Sequence, residues 1–277
     1  MVGKCLTIVP IAFQSTRMRL DSVTLRASGP RHYIELELGV DLQLDLPQAI
    51  AHHVSRVTRM RVGDFVTLFN GNGLEYSAQI LNMSNKSVQV NIFALHTPKV
   101  ESPISIVLLQ CLSAGDNMAY TIEKSVELGV TAIVPIQAER SVVQLSGDRA
   151  DKKREHWANI AKASAAQSGR TRVPIVHPIQ DIKHCCEWMQ ENYSAHHLLV
   201  IQPQAPVRLT EELISLKKNG GHSVALVVGP EGGFAASELS LLESGGFTAA
   251  SLGPRIMRTE TAGPTAIAIA QALCGDF

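Results

Sequence analysis

The sequence has 277 residues, of which 45% are hydrophobic and 18% are charged, so it can bury a sizeable core. Its 25 basic residues balance its 25 acidic residues, which excludes a polybasic coat that binds nucleic acid through net charge alone. No run approaches the roughly 20 apolar residues that a membrane-spanning helix requires. We therefore expect a cytoplasmic globular protein with no membrane partner.

The chain opens with residues 1–29, which we expect to form a leader outside the fold. An apolar run at 5–13 superficially resembles a secretory signal, but Pro10 interrupts it and no small-residue cleavage site follows. Met18 is an alternative start of the protein.

Residues 30–97 show short alternating segments separated by turn-forming residues, a pattern typical of a small β-barrel. The predicted strands are 33–38, 65–69, 75–81 and 87–93. One helix is predicted at 47–59, where Ile50, Val54 and Val57 share a face.

The period changes after a proline-containing linker at 98–103, and residues 104–277 form a second predicted domain. Apolar runs there alternate with amphipathic segments, which predicts a parallel sheet covered by helices on both faces. The runs are 104–109, 132–136, 198–201, 224–228 and 249–252, and the helical segments are 116–128, 151–168, 210–219, 235–244 and 264–273. Ligands bind beyond the carboxyl ends of parallel strands, so a site is expected there. The loops concerned follow residues 110, 136, 201, 228 and 252.

The first chemical motif is VALVVGPEGGF at 224–234, a buried strand that opens into a glycine-rich loop. Its glycines allow the backbone to approach a ligand closely or to turn sharply. The loop lacks the lysine and serine of a P-loop and the spacing of a dinucleotide fingerprint, so no phosphate cradle is predicted. Taken alone, the loop is equally well explained as a structural turn.

A second loop of this kind, SLGPRIMRTETA at 251–262, also follows a strand and precedes an apolar helix. Taken alone, it is explained more simply as a charged helix start capped by Thr259 or Thr261. Two such loops in one sheet predict a shared cleft with many backbone amides, two arginines and a carboxylate. This set of groups suits a polar ligand that carries an uncharged heterocycle.

Cysteines and histidines give no sign of a metal site or a disulfide. The five cysteines form an odd set without a CxxC pair, and the ten histidines are scattered. The adjacent pairs at 52–53 and 196–197 have no third ligand at metal spacing. Reduced thiols and no metal are therefore predicted.

Together the two loops closely resemble the C-terminal signature of the ribosomal RNA small subunit methyltransferase E family. Other blocks agree with that family in the same order across residues 31–277, and the N-terminal ones resemble its PUA-like RNA-binding domain. The blocks are 31–33, 53–64, 122–130, 139–141, 166–170 and 173–174. The resemblance implies an α/β fold of the SPOUT type, with a trefoil knot, in a homodimer.

The resemblance also implies an enzyme that uses S-adenosylmethionine to methylate N3 of a specific uridine in the 16S rRNA of the 30S subunit. Position by position, the implied cofactor-binding residues are Gly229, Glu231, Gly232, Gly233, Leu252, Gly253, Ile256 and Arg258. The chain departs from the family at Ala114, where many members carry a basic residue. One expected phosphate or cofactor contact is therefore in question.

Methylation at uridine N3 requires removal of the imide proton, because the lone pair of the neutral nitrogen is delocalised into its carbonyl groups. A base and a positive group near the developing anion are expected. The candidates in the matching blocks are Glu139, Arg140, Arg258 and Glu260. Their roles stay open, and a surface ion pair at 139–140 or a helix-start contact at Glu260 would explain them without catalysis.

RNA contacts are expected from guanidinium groups, which bind phosphates. The candidates are Arg31, Arg56, Arg59, Arg170 and Arg172. Arg56 and Arg59 are three residues apart on the predicted helix, which places them on one face. A solvated basic surface is the alternative for this set, and the basic run at 152–154 is interpreted as a solvated helix start.

Two other functions fit the same motifs. The first is a SPOUT methyltransferase that acts on transfer RNA or 23S rRNA, against which the N-terminal blocks argue. The second is an RNA-binding assembly factor that keeps the fold but has lost catalysis. The intact glycine-rich and RTET loops favour an enzyme, and cofactor binding would separate the two classes.

Overall fold

Two separate sheets form on either side of the change in sequence period. The computed structural model of the protein describes residues 29–84, 87–193 and 197–277. The first sheet uses residues between 31 and 96, and the second uses residues between 105 and 250. The predicted leader lies outside the described residues, apart from Gly29. Within the described ranges, every helix is too short or too polar to cross a membrane.

The first sheet contains five strands. They are β1 (Arg31–Tyr33), β2 (Gln43–Asp45), β3 (Phe65–Phe69), β4 (Glu75–Met83) and β5 (Val88–His96). Their order is β1-β3-β4-β5-β2; β1 runs parallel to β3 and the other pairs are antiparallel. Alternate side chains such as Val66, Leu68 and Ile80 enter one core, as the period of two predicts. β2 was not predicted, because three residues are too few to show the alternation of a β-strand.

The predicted helix at 47–59 is not one regular helix. It divides into α1 (Gln48–His52) and a π-helical segment (His53–Val57). The i to i+5 bonding of a π-helix shifts the face that an α-helix would present, and Val57 is 61% exposed. Arg59 lies beyond the segment with a positive φ of 53°. The predicted shared helical face of Arg56 and Arg59 is therefore wrong.

The second sheet is entirely parallel, as its apolar runs predict. Its strands are β6 (Ser105–Cys111), β7 (Ala132–Ile136), β8 (Ile175–Val176), β9 (His197–Ile201), β10 (Ser223–Val228) and β11 (Thr248–Ala250). The order is β11-β9-β10-β6-β7-β8. The two-residue β8 was not predicted.

Side chains of β6 alternate between two apolar cores on opposite faces of this sheet. Ile106 and Leu108 enter one cluster, whereas Val107 and Leu109 enter the other. Both clusters are buried, which confirms the prediction that both faces are covered. The strand ends are therefore the places where the sheet backbone can meet a ligand.

Five helices connect these strands in chain order, and a sixth follows the last strand. They are α2 (Asn117–Glu127), α3 (Gly147–Ser168), α4 (Ile182–Asn192), α5 (Leu209–Lys218), α6 (Ala236–Ser244) and α7 (Thr259–Cys274). Helix α4 was not predicted, although its buried residues follow a helical spacing: Ile182, Cys185, Cys186 and Met189. The start of α7 was predicted at Pro264, whereas that proline lies inside the helix.

Candidate active site

A cavity of about 510 Å³ opens at the carboxyl edge of the second sheet. This volume lies in the range of small-molecule sites. The loops after β9, β10 and β11 line it, and these three strands are neighbours in the sheet. The predicted loop after residue 110 contributes Asn117 at the start of α2, while the loop after residue 136 supplies none of the lining residues.

Seven of the eight residues expected to bind a cofactor line this cavity. They are Gly229, Glu231, Gly233, Leu252, Gly253, Ile256 and Arg258. The eighth, Gly232, faces Arg140 instead: a Cβ at Gly232 would lie 3.2 Å from the Cβ of Arg140. The Arg140 Nη1 also donates to the Gly232 carbonyl at 3.4 Å. The absence of a side chain at Gly232 therefore allows the loop after β7 to pack on the glycine-rich loop.

The second wall of the cavity depends on a turn that favours glycine. Gly253 has φ 110°, a conformation that residues with a Cβ rarely adopt. This turn lies between Leu252 and Ile256, which both line the cavity. Ile256 is 81% exposed, so its side chain is available to a ligand.

A buried hydrogen-bond chain ties the two walls together. The Thr259 hydroxyl donates to the Gly229 carbonyl at 2.6 Å and accepts from the Gln110 Nε2 at 2.9 Å. Because a carbonyl can only accept, the hydroxyl proton is committed to Gly229, which fixes the orientation of the Gln110 amide. Gln110, at the end of β6, thus joins the start of α7 to the glycine-rich loop. A glutamine within the apolar run IVLLQC was the available sequence signal, and it was missed.

A buried carboxylate positions the neighbouring loop. Glu238 is 7% exposed, and its two oxygens accept from the backbone N–H groups of Glu139 at 2.8 Å and Ala235 at 2.9 Å. The second bond is part of the cap of α6, while the first crosses to the loop after β7. Glu238 therefore holds Glu139 near the site through the main chain. This role of Glu238 was not predicted from the sequence.

The four catalytic candidates fall into two pairs. Arg258 and Glu260 line the cavity, at the N-cap and in the first turn of α7. Glu139 and Arg140 lie on the adjacent loop with exposed side chains and do not line the cavity. Glu139 and Arg140 form no ion pair with each other in the described part of the chain. The cavity thus contains one pair of opposite charges from the candidate set.

The lining can hold a ligand with chemically distinct parts. Ile201, Val228 and Leu252 offer apolar surface to a flat heterocycle. Glu231 and Glu260 offer carboxylates to hydroxyl groups or to a positive charge, and the glycine-rich loop offers backbone polar groups. This agrees with the expected polar ligand that carries a heterocycle.

The structure separates the five candidate RNA-binding arginines. Arg56, Arg59 and Arg172 have exposed side chains. Arg170 is 7% exposed and fully engaged: it pairs with Glu101 at 2.8 Å and donates to two backbone carbonyls, those of Val126 and Val130. Its predicted role as an RNA ligand is wrong for this geometry, because the guanidinium is used inside the protein.

Arg31 also has partners within the chain. Its Nη2 lies 2.7 Å from the Glu75 carboxylate and donates to the Arg170 carbonyl at 3.0 Å. Its guanidinium stands 4.9 Å from the centre of the Phe69 ring. These contacts join the first sheet to the end of α3, so Arg31 acts here as a structural link between the two parts of the molecule.

The described residues were searched for groups of metal ligands and for reactive thiols near the cavity. No group of three histidine, cysteine, aspartate or glutamate side chains there could hold a metal ion. Cys111, at the end of β6, is a free thiol. Burial, followed by the charge of Glu238, raises the pKa of this thiol well above its ordinary value, so it stays protonated and is a poor nucleophile.

Two family models match the chain. An RNA methyltransferase domain matches residues 100–271, and an RNA methyltransferase PUA domain matches residues 46–93. The first match alone covers more than half of the protein and includes every loop of the cavity.

Individual proteins agree with these models. A ribosomal RNA small subunit methyltransferase E of Buchnera aphidicola is 33% identical over 248 residues, which are 90% of this chain and 98% of that protein. The crystal structure of a protein of the same name from Neisseria gonorrhoeae, bound to S-adenosyl methionine, is 35% identical with a TM-score of 0.80, covering 90% and 99% of the two chains. A Legionella pneumophila protein in complex with the bound cofactor SAM is 34% identical with a TM-score of 0.79 and the same coverage.

Proposed function

We propose that this chain, which belongs to the ribosomal RNA small subunit methyltransferase E family, methylates N3 of one uridine in 16S rRNA. The chain has the SPOUT-type fold of that family with a PUA-like N-terminal part. The observation that carries the proposal is the single cavity lined by both signature loops. A methyltransferase needs such a cavity, because the cofactor must be held in a fixed orientation toward the base.

We propose that S-adenosylmethionine occupies this cavity, and the two similar structures with this cofactor bound support its identity. The residues fit: the apolar lining suits the adenine ring, and the Glu231 carboxylate suits the ribose hydroxyls. When bound, the cofactor supplies a methyl group made electrophilic by its sulfonium. The protein therefore has to provide orientation, exclusion of water and proton removal.

Glu260 is our first candidate to receive the N3 proton, because it is the carboxylate of the catalytic set that lines the cavity. Arg258, two residues before it, would stabilise the anion that develops on the uracil ring. Glu139 and Arg140 would then act by shaping the glycine-rich loop, in line with the Arg140 contact to Gly232.

Residues 30–97 would form the RNA-binding domain, residues 98–103 the linker and residues 104–277 the methyltransferase domain. Arg56, Arg59 and Arg172 are exposed and remain candidates for phosphate contacts. Family membership further supports a homodimer, a trefoil knot in the C-terminal chain, and action on 30S subunits in the cytoplasm.

The proposal is tested by incubating the protein with labelled S-adenosylmethionine and either isolated 30S subunits or naked 16S rRNA. The product is mapped by primer extension, since methylation at N3 blocks base pairing. A new stop at one uridine is the expected result. Cofactor binding without label in 16S rRNA would point to another RNA, and failure to bind the cofactor would point to a catalytically silent assembly factor.

A further inference from the structure

Helix α3 connects the two functional parts of the molecule. Its 22 residues span about 33 Å. Toward its C-terminal end, Lys162 pairs with Glu35 and lies 5.3 Å from the centre of the Tyr33 ring, so this half packs on the N-terminal sheet. Its N-terminal end continues from the loop in which Arg140 contacts the glycine-rich loop of the cavity.

Charges on the N-terminal half of α3 are sorted by face. Four basic side chains recur at helical spacing and line a shallow depression with Leu145; they are Arg149, Lys152, Lys153 and His156. At 100° per residue these four fall within about a third of a turn. The acidic Asp148, Asp151 and Glu155 fall on a different side, and Trp157 faces the core. We name the four basic residues the α3 basic face.

The positive charge of the α3 basic face is not neutralised within the described residues, where none of its four side chains forms an ion pair or a hydrogen bond. Arg149 and Lys153 are four residues apart on the helix. Like charges at this spacing destabilise a helix. The Arg149 and Lys153 pair therefore does not stabilise the helix, in a chain whose total charge is balanced at 25 and 25.

We propose that the α3 basic face binds the sugar-phosphate backbone of the RNA substrate, away from the reacting nucleotide. This inference rests on the proposed function. RNA fits this face better than an acidic protein does. The centres of protein–protein interfaces are apolar and poor in charge. This depression offers little apolar surface, because Leu145 is its apolar member and is only 8% exposed. Contacts of this kind position the RNA without reading its sequence. The face lies on the helix that joins the RNA-binding part to the cavity.

The test compares two double variants that each remove two positive charges. Lys152→Gln/Lys153→Gln changes the α3 basic face, whereas Lys183→Gln/Lys218→Gln changes exposed lysines on α4 and α5. Affinity for naked 16S rRNA is measured by filter binding across a salt series, and S-adenosylmethionine binding is measured by calorimetry. For the first variant we expect about tenfold weaker RNA binding and a loss of about 1.4 to 1.8 in the slope of log K against log salt. Cofactor affinity should not change.

Equal RNA affinity and equal salt slope in the two double variants would overturn the α3 proposal while leaving the proposed function intact. Wild-type protein that binds the cofactor but, in the same filter assay, neither naked 16S rRNA nor isolated 30S subunits would instead refute the proposed substrate, and with it this assignment of the face. Circular dichroism and thermal melting of both variants verify that each is folded, which is expected because all four lysines are exposed.

Discussion

The Thr259 hydroxyl uses its donor and its acceptor role at once, toward Gly229 and Gln110. Thr259→Val keeps the shape but leaves a buried amide without its partner, so we expect a loss of about 1 to 3 kcal/mol in stability. Affinity for S-adenosylmethionine should fall as well, because the glycine-rich loop loses its tether. Thr259→Ser retains the hydroxyl and should restore binding. Calorimetry and urea unfolding measure both, and undiminished cofactor binding by Thr259→Val would refute the tether.

Arg258 is exposed, lines the cavity and makes no side-chain cap at the start of α7. Arg258→Ala should therefore lower the rate of methyl transfer by roughly 100-fold or more, as expected for a group that stabilises developing charge. Its melting temperature should stay near that of the wild type. Arg208→Ala is the matched control, since Arg208 is also an exposed N-cap arginine, at α5, and does not line the cavity. Normal transfer by Arg258→Ala would remove Arg258 from the site.

At the scale of elements, α7 depends on a close approach to β6. A Cβ at Gly263 would lie 2.7 Å from the Gln110 Oε1 and 3.4 Å from Leu108. Gly→Ala normally stabilises a helix interior. Here we expect Gly263→Ala to destabilise the protein by about 1 to 3 kcal/mol, because the buried glutamine has to move.

A double-mutant cycle with Gln110→Ala isolates the cause of this effect. If the clash with the glutamine is responsible, Gly263→Ala should cost clearly less in the Gln110→Ala background, with both values measured by urea unfolding. Additive effects would show that the penalty at Gly263 has another origin.

Element prediction succeeded for most of the long periodic segments and failed for very short strands and for the irregular helix after Pro47. The regular helix α4 was also missed, although its buried residues follow a helical spacing. Five of the six parallel strands were predicted because runs such as 132–136 are apolar throughout, and β7 has those same bounds. The π-helical segment was missed because its hydrogen bonds, not its residues, distinguish it from an α-helix. The start of α7 was predicted at Pro264 and not at Thr259, where it lies, since a proline usually marks the first turn of a helix.

At the scale of the whole molecule, Glu101 and Arg170 fasten the linker to the end of α3. The Glu101 carboxylate accepts from the Arg170 side chain and from the backbone N–H groups of Thr171 and Arg172. Burial alone would raise the pKa of Glu101, but the hydrogen bonds and charge of Arg170 and the two amides outweigh it, so the pKa lies below its ordinary value. A carboxyl group with a lowered folded pKa stabilises the protein when it is ionised.

Glu101→Gln should therefore lower the free energy of unfolding at neutral pH by about 2 to 3 kcal/mol, the contribution of hydrogen bonds to a charged group. The gap to the wild type should begin to close as the pH falls below 4.5, the ordinary pKa of the group, because the unfolded chain then binds protons at Glu101. It should be lost once the pH has fallen through the lower pKa of the folded state, where the native carboxylate is protonated as well. Urea unfolding over a pH series measures this. Glu123→Gln, which breaks the exposed pair with Lys124, should have little effect at any pH. A gap that persists in acid would contradict the assigned cause.

The sequence by itself determined the fold class, the two-part organisation and the two loops that line the cavity. These features follow from local signals: an apolar run of strand length, a helical period, or glycines directly after a strand. Such signals arise within a few neighbouring residues, so no knowledge of the rest of the chain is needed to interpret them.

Only the tertiary structure decided which polar side chains work inside the protein. Arg170 and Arg172 look alike in sequence, yet one is buried against Glu101, 69 residues away, and the other is exposed. Gln110 meets Thr259 across 149 residues, and Arg31 meets the carbonyl of Arg170 across 139. No local period encodes such pairs, because the partners become neighbours only when the sheets and helices have packed.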